Sequence, residues 1–244
     1  MKSMLTAGAA ALALLLAGCG DGGGNNQAAA ADNIPLKQIP APNGDWTQAV
    51  AKTPEGGFRM GNPDAPVKLV EYASMTCPHC ASFSEAATGP LRDTYVRSGQ
   101  VSWEFRNFLL GAPDVAMSVA SRCQPPTAFF RTIEQMFAQQ QEFVGAIDES
   151  EAQRIQPLPP EQQIAPLARA MDLDTFFARR GMPEARFNQC LADRAAIQRL
   201  TDMTSRAVSE FQVQGTPTFF INGEKQDVSD WGTLEPRLRA AIGR

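Results

Sequence analysis

Two cysteines separated by two residues, in Cys77-Pro78-His79-Cys80, are the clearest chemical feature of the sequence. They follow an apolar run and open a segment of helical character, where cysteines at i and i+3 can close a disulfide with little backbone movement. A helix N-terminus favours negative charge, so it lowers the pKa of the Cys77 thiol and promotes the thiolate that attacks disulfides. Pro78 suits a first helical turn, where no N–H is required of it. The motif predicts a redox-active pair.

His79 is the only histidine in the chain. A solitary histidine is more often structural, but between two cysteines its N–H or positive charge can stabilise the Cys77 thiolate. The alternative interpretation is half a zinc site, which needs two further Cys or His ligands. Only Cys123 and Cys190 could supply them, without a second paired-cysteine motif. We therefore expect no metal and no other cofactor.

Two further features lie at a distance from the motif in the sequence. Glu71 lies in an apolar segment six residues before Cys77. Charged residues in buried strands are uncommon and call for a reason, although a surface glutamate at a strand edge is the alternative. Gly215-Thr216-Pro217-Thr218 precedes a second apolar segment, and by itself its proline is typical of the start of a strand.

The elements that must position these residues alternate between strand and helix. Val67–Tyr72 predicts a buried strand, residues 78–97 a helix bent at Gly89-Pro90, and Val101–Phe108 a second strand. This order predicts a βαβ unit with parallel pairing. The α/β pattern continues near the C-terminus with a strand over Thr218–Ile221.

Between these α/β pieces, residues 113–213 show no convincing strand. Helical spacing of apolar residues occurs in Ala128–Phe137, Ile164–Met171 and Phe187–Phe211. At the C-terminal end, Asn222-Gly223 is typical of a hairpin turn, and a last helix is predicted over Leu234–Ile242. The fold class is therefore predicted to be α/β, with helices inserted into one split domain.

The N-terminus predicts export. Leu5–Leu16 is an apolar run suited to a signal-peptide core but short for a bilayer span. Leu16-Ala17-Gly18-Cys19 resembles a bacterial lipobox, which implies a signal peptide over residues 1–18 and lipidation of Cys19; an ordinary cleaved signal is the alternative. Residues 20–33 contain no large apolar side chain, so we expect a flexible tether, which we extend over residues 19–54.

The net charge and the number of cysteines limit the possible classes of function. The formal net charge of −4 argues against a nucleic-acid partner. If Cys19 carries lipid, four cysteines remain in a compartment that permits disulfides. Cys77 pairs with Cys80 by spacing, which leaves Cys123 and Cys190 either as a structural disulfide or as two buried free thiols.

The strand VKLVEYASMT leading into CPHC, the helical insertion and GTPTFFING together resemble the DsbA-like branch of the thioredoxin superfamily over residues 58–244. The resemblance implies a thioredoxin core, residues 55–112 and 212–244, interrupted by a helical domain over residues 113–211. It implies that Cys77 is the exposed nucleophile and Cys80 its buried partner. It also implies that Thr216 and Pro217 form a cis-proline loop facing the substrate, and that Glu71 assists proton transfer at the second cysteine.

This resemblance implies a thiol:disulfide oxidoreductase that oxidises exported proteins with free cysteines at the periplasmic face of a bacterial membrane. A membrane-bound redox partner would reoxidise it, and the lipid anchor would hold it close. A low Cys77 pKa stabilises the reduced form and so favours an oxidant. The alternatives are an isomerase or reductase with the same site, and a non-catalytic chaperone lipoprotein. Isomerases of this superfamily are usually dimers with an N-terminal dimerisation domain, and here that place holds the glycine-rich tether, so we expect a monomer and an oxidase.

Overall fold

The computed structural model describes residues 35–243. The signal peptide predicted for residues 1–18 and the lipidation predicted at Cys19 lie outside the described residues. Within residues 35–243, no helix combines the length and the apolar character needed to cross a membrane.

The core is a mixed six-stranded sheet in the order β1-β2-β4-β3-β5-β6. The central strands β3 and β4 pair in parallel, and the other neighbouring strands pair antiparallel. The strands are β1 (Val50–Lys52), β2 (Phe58–Met60), β3 (Val67–Ala73), β4 (Val101–Asn107), β5 (Thr218–Ile221) and β6 (Glu224–Gln226). The parallel pairing confirms the predicted βαβ unit and the α/β class.

The helix that connects β3 to β4 is α1 (Pro78–Pro90), continued by a π-helical segment over Leu91–Val96. The change in helix type falls where the sequence predicts a bend, because the ring of Pro90 removes one N–H from the α-helical ladder. Leu91, Tyr95 and Val96 are buried and anchor this second half against the sheet.

The inserted helices lie between β4 and β5. They are α2 (Ala112–Ser121), α3 (Phe129–Ala138), α4 (Gln140–Gly145), α5 (Glu149–Ile155), α6 (Pro160–Ala170), α7 (Leu173–Ala178), α8 (Glu184–Leu191) and α9 (Arg194–Ser209). The helical spacing across Phe187–Phe211 belongs to two helices, α8 and α9, because Asp193 leaves the helical conformation and its side chain accepts the N–H of Ala196 as an N-cap.

The C-terminal hairpin and helix lie where the sequence predicts them. Asn222 and Gly223 have positive φ angles of 51° and 86° and connect β5 to β6. This two-residue turn matches the twist of the flanking strands. The last helix, α10 (Trp231–Ile242), begins at an N-cap formed by Asp230 and packs against α1 and β3.

The tether predicted over residues 19–54 is wrong at its C-terminal end. Trp46–Gln48 forms a 3-10 helix with Asp45 as its N-cap, and Val50–Lys52 adds an edge strand to the sheet. The Trp46 side chain is buried and donates its indole N–H to the carbonyl of Ile39 at 2.7 Å. These contacts make residues 45–54 part of the folded domain.

Candidate active site

The paired cysteines lie where the sheet passes into α1. Cys77 is the N-cap of α1 and Pro78 occupies the first helical turn. Cys77 and Cys80 are free thiols. Cys77 keeps 7% of its surface exposed, whereas Cys80 is fully buried. The carbonyl of Cys77 accepts the N–H groups of Cys80 and Ala81 at 3.1 and 3.2 Å. Both cysteines are therefore buried, but only Cys77 keeps a small accessible surface.

Several hydrogen bonds lower the pKa of Cys77 to about 5. The largest contribution is a hydrogen bond from Cys80, and burial of the sulfur works against it. The backbone N–H groups of Cys80 and His79 lower the pKa further. The pKa of Cys80 is raised, first by burial and then by its hydrogen bond with Cys77. This asymmetry favours Cys77 over Cys80 as the nucleophile.

The side chain of His79 is exposed. The hydrogen bond by which this residue lowers the pKa of Cys77 comes from its backbone N–H. The sequence predicts that the ring supplies the stabilisation, and the structure instead assigns it to the N-terminus of α1.

Glu71 lies on β3 and is buried, with 1% of its surface exposed. The surface position considered as an alternative is therefore excluded. The indole Nε1–H of Trp103 on β4 donates to its Oε2 at 2.9 Å. Burial raises the pKa of Glu71 to about 8, and this hydrogen bond opposes the rise. The carboxyl also lies close enough to Cys80 for its charge to raise the pKa of that thiol.

The Thr216–Pro217 peptide bond is cis, as the resemblance implies. The carbonyl oxygen of Thr216 faces the Cys77 sulfur, which donates to it at 3.2 Å. The hydroxyl of Thr218 closes the loop by donating to the carbonyl of Gly215 at 2.7 Å. The structure thus brings together the two motifs that lie far apart in the sequence.

Two buried residues that the sequence analysis did not identify hold the loop before Cys77. The Asp114 carboxylate accepts the Ser74 hydroxyl at 2.5 Å and the Met75 N–H at 2.9 Å. The Gln140 amide donates to the carbonyls of Met75 and Cys77 at 2.9 and 3.0 Å. Burial raises the pKa of Asp114 to about 6, and its hydrogen bonds oppose the rise.

Cys123 and Cys190 form a disulfide with their Cα atoms 5.9 Å apart. Cys123 lies just after α2, and Cys190 lies near the end of α8. The bridge ties two helices of the insertion together, so these cysteines are not the buried free thiols considered as an alternative. Within residues 35–243, no group of three or more Cys, His, Asp or Glu residues is arranged to hold a metal ion.

Known proteins share both the sequence pattern and the fold. A family model described as thioredoxin matches residues 53–238. A Rickettsia bellii protein, named by inference as a protein-disulfide oxidoreductase, is 25% identical over 191 residues, covering 78% of this chain and 66% of that protein. The chain spans 58% of the corresponding Rickettsia prowazekii protein, and so less than two thirds of either relative.

Two solved structures are also similar to this chain. A protein-disulfide isomerase from Novosphingobium aromaticivorans superposes with a TM-score of 0.73 at 30% identity, over 76% of this chain and 97% of that one. The α-DsbA1 of Wolbachia pipientis shares the fold with a TM-score of 0.63 at 21% identity, over 84% of this chain and 94% of that one. The chain belongs to the thioredoxin family.

Proposed function

We propose that this protein oxidises pairs of thiols in exported proteins at Cys77-Pro78-His79-Cys80. The observation that carries the proposal is the asymmetry of the two sulfurs. Cys77 keeps a small accessible surface opposite the Thr216 carbonyl and its pKa is lowered to about 5, whereas Cys80 is fully buried with its pKa raised. A substrate can reach only the first sulfur, which is also the better leaving group.

The reaction begins with the oxidised Cys77–Cys80 pair. A substrate thiolate attacks the Cys77 sulfur, so a substrate–Cys77 bond forms and the Cys77–Cys80 bond breaks. Cys80 leaves with the electron pair and takes up a proton, which the Glu71 carboxyl can supply because burial raises its pKa to about 8. A second substrate thiolate then attacks the substrate sulfur and releases Cys77 as a thiolate. The substrate loses two electrons and the enzyme gains them.

The direction of electron flow follows from the stability of the released thiolate. With the pKa of Cys77 at about 5, ionisation at pH 7 stabilises the reduced enzyme by roughly 3 kcal/mol. For a two-electron couple, this raises the reduction potential by about 60 mV. A raised potential favours transfer of the disulfide to substrates.

The location of the protein is part of the proposal. The apolar run and lipobox pattern near Cys19 support a lipid anchor at the periplasmic face of a bacterial membrane. A membrane-bound redox partner would reoxidise it there. Metabolic labelling with a radioactive fatty acid, compared between the wild-type chain and Cys19→Ala, tests the anchor. Label in both proteins, or in neither, would contradict it.

Isomerisation is the second candidate, because the Novosphingobium aromaticivorans structure with 30% identity is named a protein-disulfide isomerase. A reduced substrate protein and a scrambled one distinguish an oxidase from an isomerase. An oxidase, supplied oxidised and in stoichiometric amount, introduces disulfides into a reduced protein. An isomerase restores activity to a scrambled, fully oxidised protein when supplied reduced.

The deciding assay uses the wild-type chain with Cys77→Ala and Cys80→Ala. We expect the wild-type protein to oxidise the reduced substrate and Cys77→Ala to be inactive. In Cys80→Ala, a mixed disulfide between Cys77 and the substrate should accumulate when the substrate carries an activated disulfide. Rapid refolding of scrambled substrate without net oxidation would support the isomerase. Unchanged folding assistance by Cys77→Ala would instead indicate a non-catalytic chaperone.

A further inference from the structure

The loop from Ser74 to Cys77 carries the nucleophile but lies outside any strand or helix. Its backbone must therefore be fixed by contacts from elsewhere. Inside the loop, the Ser74 hydroxyl accepts the N–H of Thr76 at 3.1 Å, and the Ser74 carbonyl accepts the N–H of Cys77 at 3.3 Å. Ser74 is thus the residue through which the loop holds Cys77 at the N-terminus of α1.

Asp114 holds Ser74 from the first turn of α2. Its carboxylate is fully buried and accepts four hydrogen bonds. Two come from the loop, through the Ser74 hydroxyl and the Met75 N–H; two come from its own neighbourhood, through the Leu110 N–H at 3.1 Å and the Ser118 hydroxyl at 3.3 Å. The positive end of α2 favours the negative charge at this position.

Gln140 holds the loop from the first turn of α4. The side chain is 3% exposed and donates to two carbonyls, those of Met75 and Cys77. The Cys77 carbonyl is the group that accepts the first backbone bonds of α1. Gln140 therefore fixes the orientation of the turn whose N–H groups face the Cys77 sulfur. Because both donor hydrogens are used in a buried site, a side chain without them would leave two carbonyls poorly satisfied.

We propose that Asp114 and Gln140 are positioning residues through which the inserted helices set the reactivity of the Cys77 thiol. Neither residue contacts the sulfur in the described structure; both act on the backbone that places it. The proposal deepens the proposed function and rests on it, since it concerns the nucleophile of that same site. When either contact is lost, Cys77 moves away from the N–H groups of His79 and Cys80, and the thiolate loses their stabilisation.

The test measures the rate at which iodoacetamide alkylates the reduced full-length protein as a function of pH. The variants are Asp114→Asn, Gln140→Leu and Ser74→Ala. Asp193→Ala is the control, because it removes a helix N-cap in the insertion and lowers stability without contacting the loop. Circular dichroism establishes that each variant is folded under the assay conditions.

We expect the titration midpoint of Cys77 to rise by about one pH unit in the three variants, so that alkylation at pH 5 slows about fivefold. Asp193→Ala should keep the wild-type midpoint. The double variant Ser74→Ala, Asp114→Asn should shift no further than either single variant, since both break the same link. If Asp114→Asn does not fold, Gln140→Leu and Ser74→Ala still decide the question.

Two results would overturn parts of the account separately. Folded Gln140→Leu and Ser74→Ala variants with the wild-type midpoint would contradict the positioning role and leave the proposed function intact. A wild-type midpoint near that of an ordinary thiol would contradict both, because there would then be no lowered pKa for the insertion to set.

Discussion

Trp103 donates its indole N–H to the carboxyl of Glu71 at 2.9 Å, from the strand that pairs in parallel with the strand carrying Glu71. This contact fixes one carboxyl oxygen beneath the paired cysteines, within a site whose burial raises the Glu71 pKa to about 8. A carboxyl that exchanges a proton near neutral pH suits the protonation and deprotonation of the buried Cys80. Burial of this carboxyl also lowers the stability of the folded protein as the pH rises towards 8.

Glu71→Gln should make the oxidised protein more stable at pH 8 by a few kcal/mol, and change its stability little at pH 4. The folded carboxyl keeps its proton up to about pH 8, whereas the unfolded one loses it near pH 4.5. The unfolded state therefore binds fewer protons in this window, and wild-type stability falls as the pH rises through it. Urea unfolding of both oxidised proteins at several pH values measures this; parallel curves would contradict the raised pKa.

The same substitution should slow substrate oxidation. Without the Glu71 carboxyl, Cys80 must take its proton from solvent, which a buried sulfur contacts poorly. We expect a decrease of about 10²-fold, the lower end of the range for general acid–base catalysis, in the rate at which the mixed disulfide forms. Stopped-flow fluorescence with a dithiol peptide provides the measurement. An unchanged rate would mean that Glu71 is only a structural residue.

The pH dependence of the reduction potential should change slope near pH 5. Below that pH, reduction of the Cys77–Cys80 pair takes up two protons with two electrons, so the potential falls by about 59 mV per pH unit. Above the lowered Cys77 pKa of about 5, only Cys80 is protonated, and the slope is halved to about 30 mV. Equilibration with glutathione buffers tests this; a constant steep slope up to pH 8 would show that Cys77 is an ordinary thiol.

Removal of the second disulfide should lower stability and leave the active site unchanged. The bridge closes a loop with a sequence separation of 67 residues, so its loss is expected to cost about 2–4 kcal/mol in the free energy of unfolding. The double variant Cys123→Ala, Cys190→Ala is compared with the wild-type protein by urea unfolding and by Cys77 alkylation. Loss of Cys77 reactivity in a folded double variant would assign the bridge a redox role instead.

Much of the fold could be predicted from sequence because its signals are local. The apolar run Val67–Tyr72 and the dipeptide Asn222-Gly223 each determine their own conformation, and β3 and the final hairpin lie where they were expected. The edge strand Val50–Lys52 was missed because three residues are too few to show an alternating pattern. The break before α9 had a local signal, the helix-capping residue Asp193, which the apolar spacing across it obscured.

The residues of the site also differ in how far they could be predicted from the sequence. Cys77 and Cys80 are recognisable because their spacing alone specifies the chemistry. Asp114 acts on a loop 39–40 residues away in the sequence and Gln140 on the same loop 63–65 residues away, and no local pattern encodes such contacts. An acidic residue within the apolar start of α2 was the available signal for Asp114. Gln140 lies in a run of glutamines and offered none.

The reduction potential of the Cys77–Cys80 pair at pH 7 shows directly whether the protein is an oxidant. Thioredoxin provides the reference, at about −270 mV, and the lowered Cys77 pKa alone raises the expected value to about −210 mV. Equilibrium of the full-length protein with glutathione, read by the fraction of alkylated Cys77, measures it. A potential of about −210 mV or less negative is the predicted result, and one at or below about −270 mV would contradict the assignment as an oxidant.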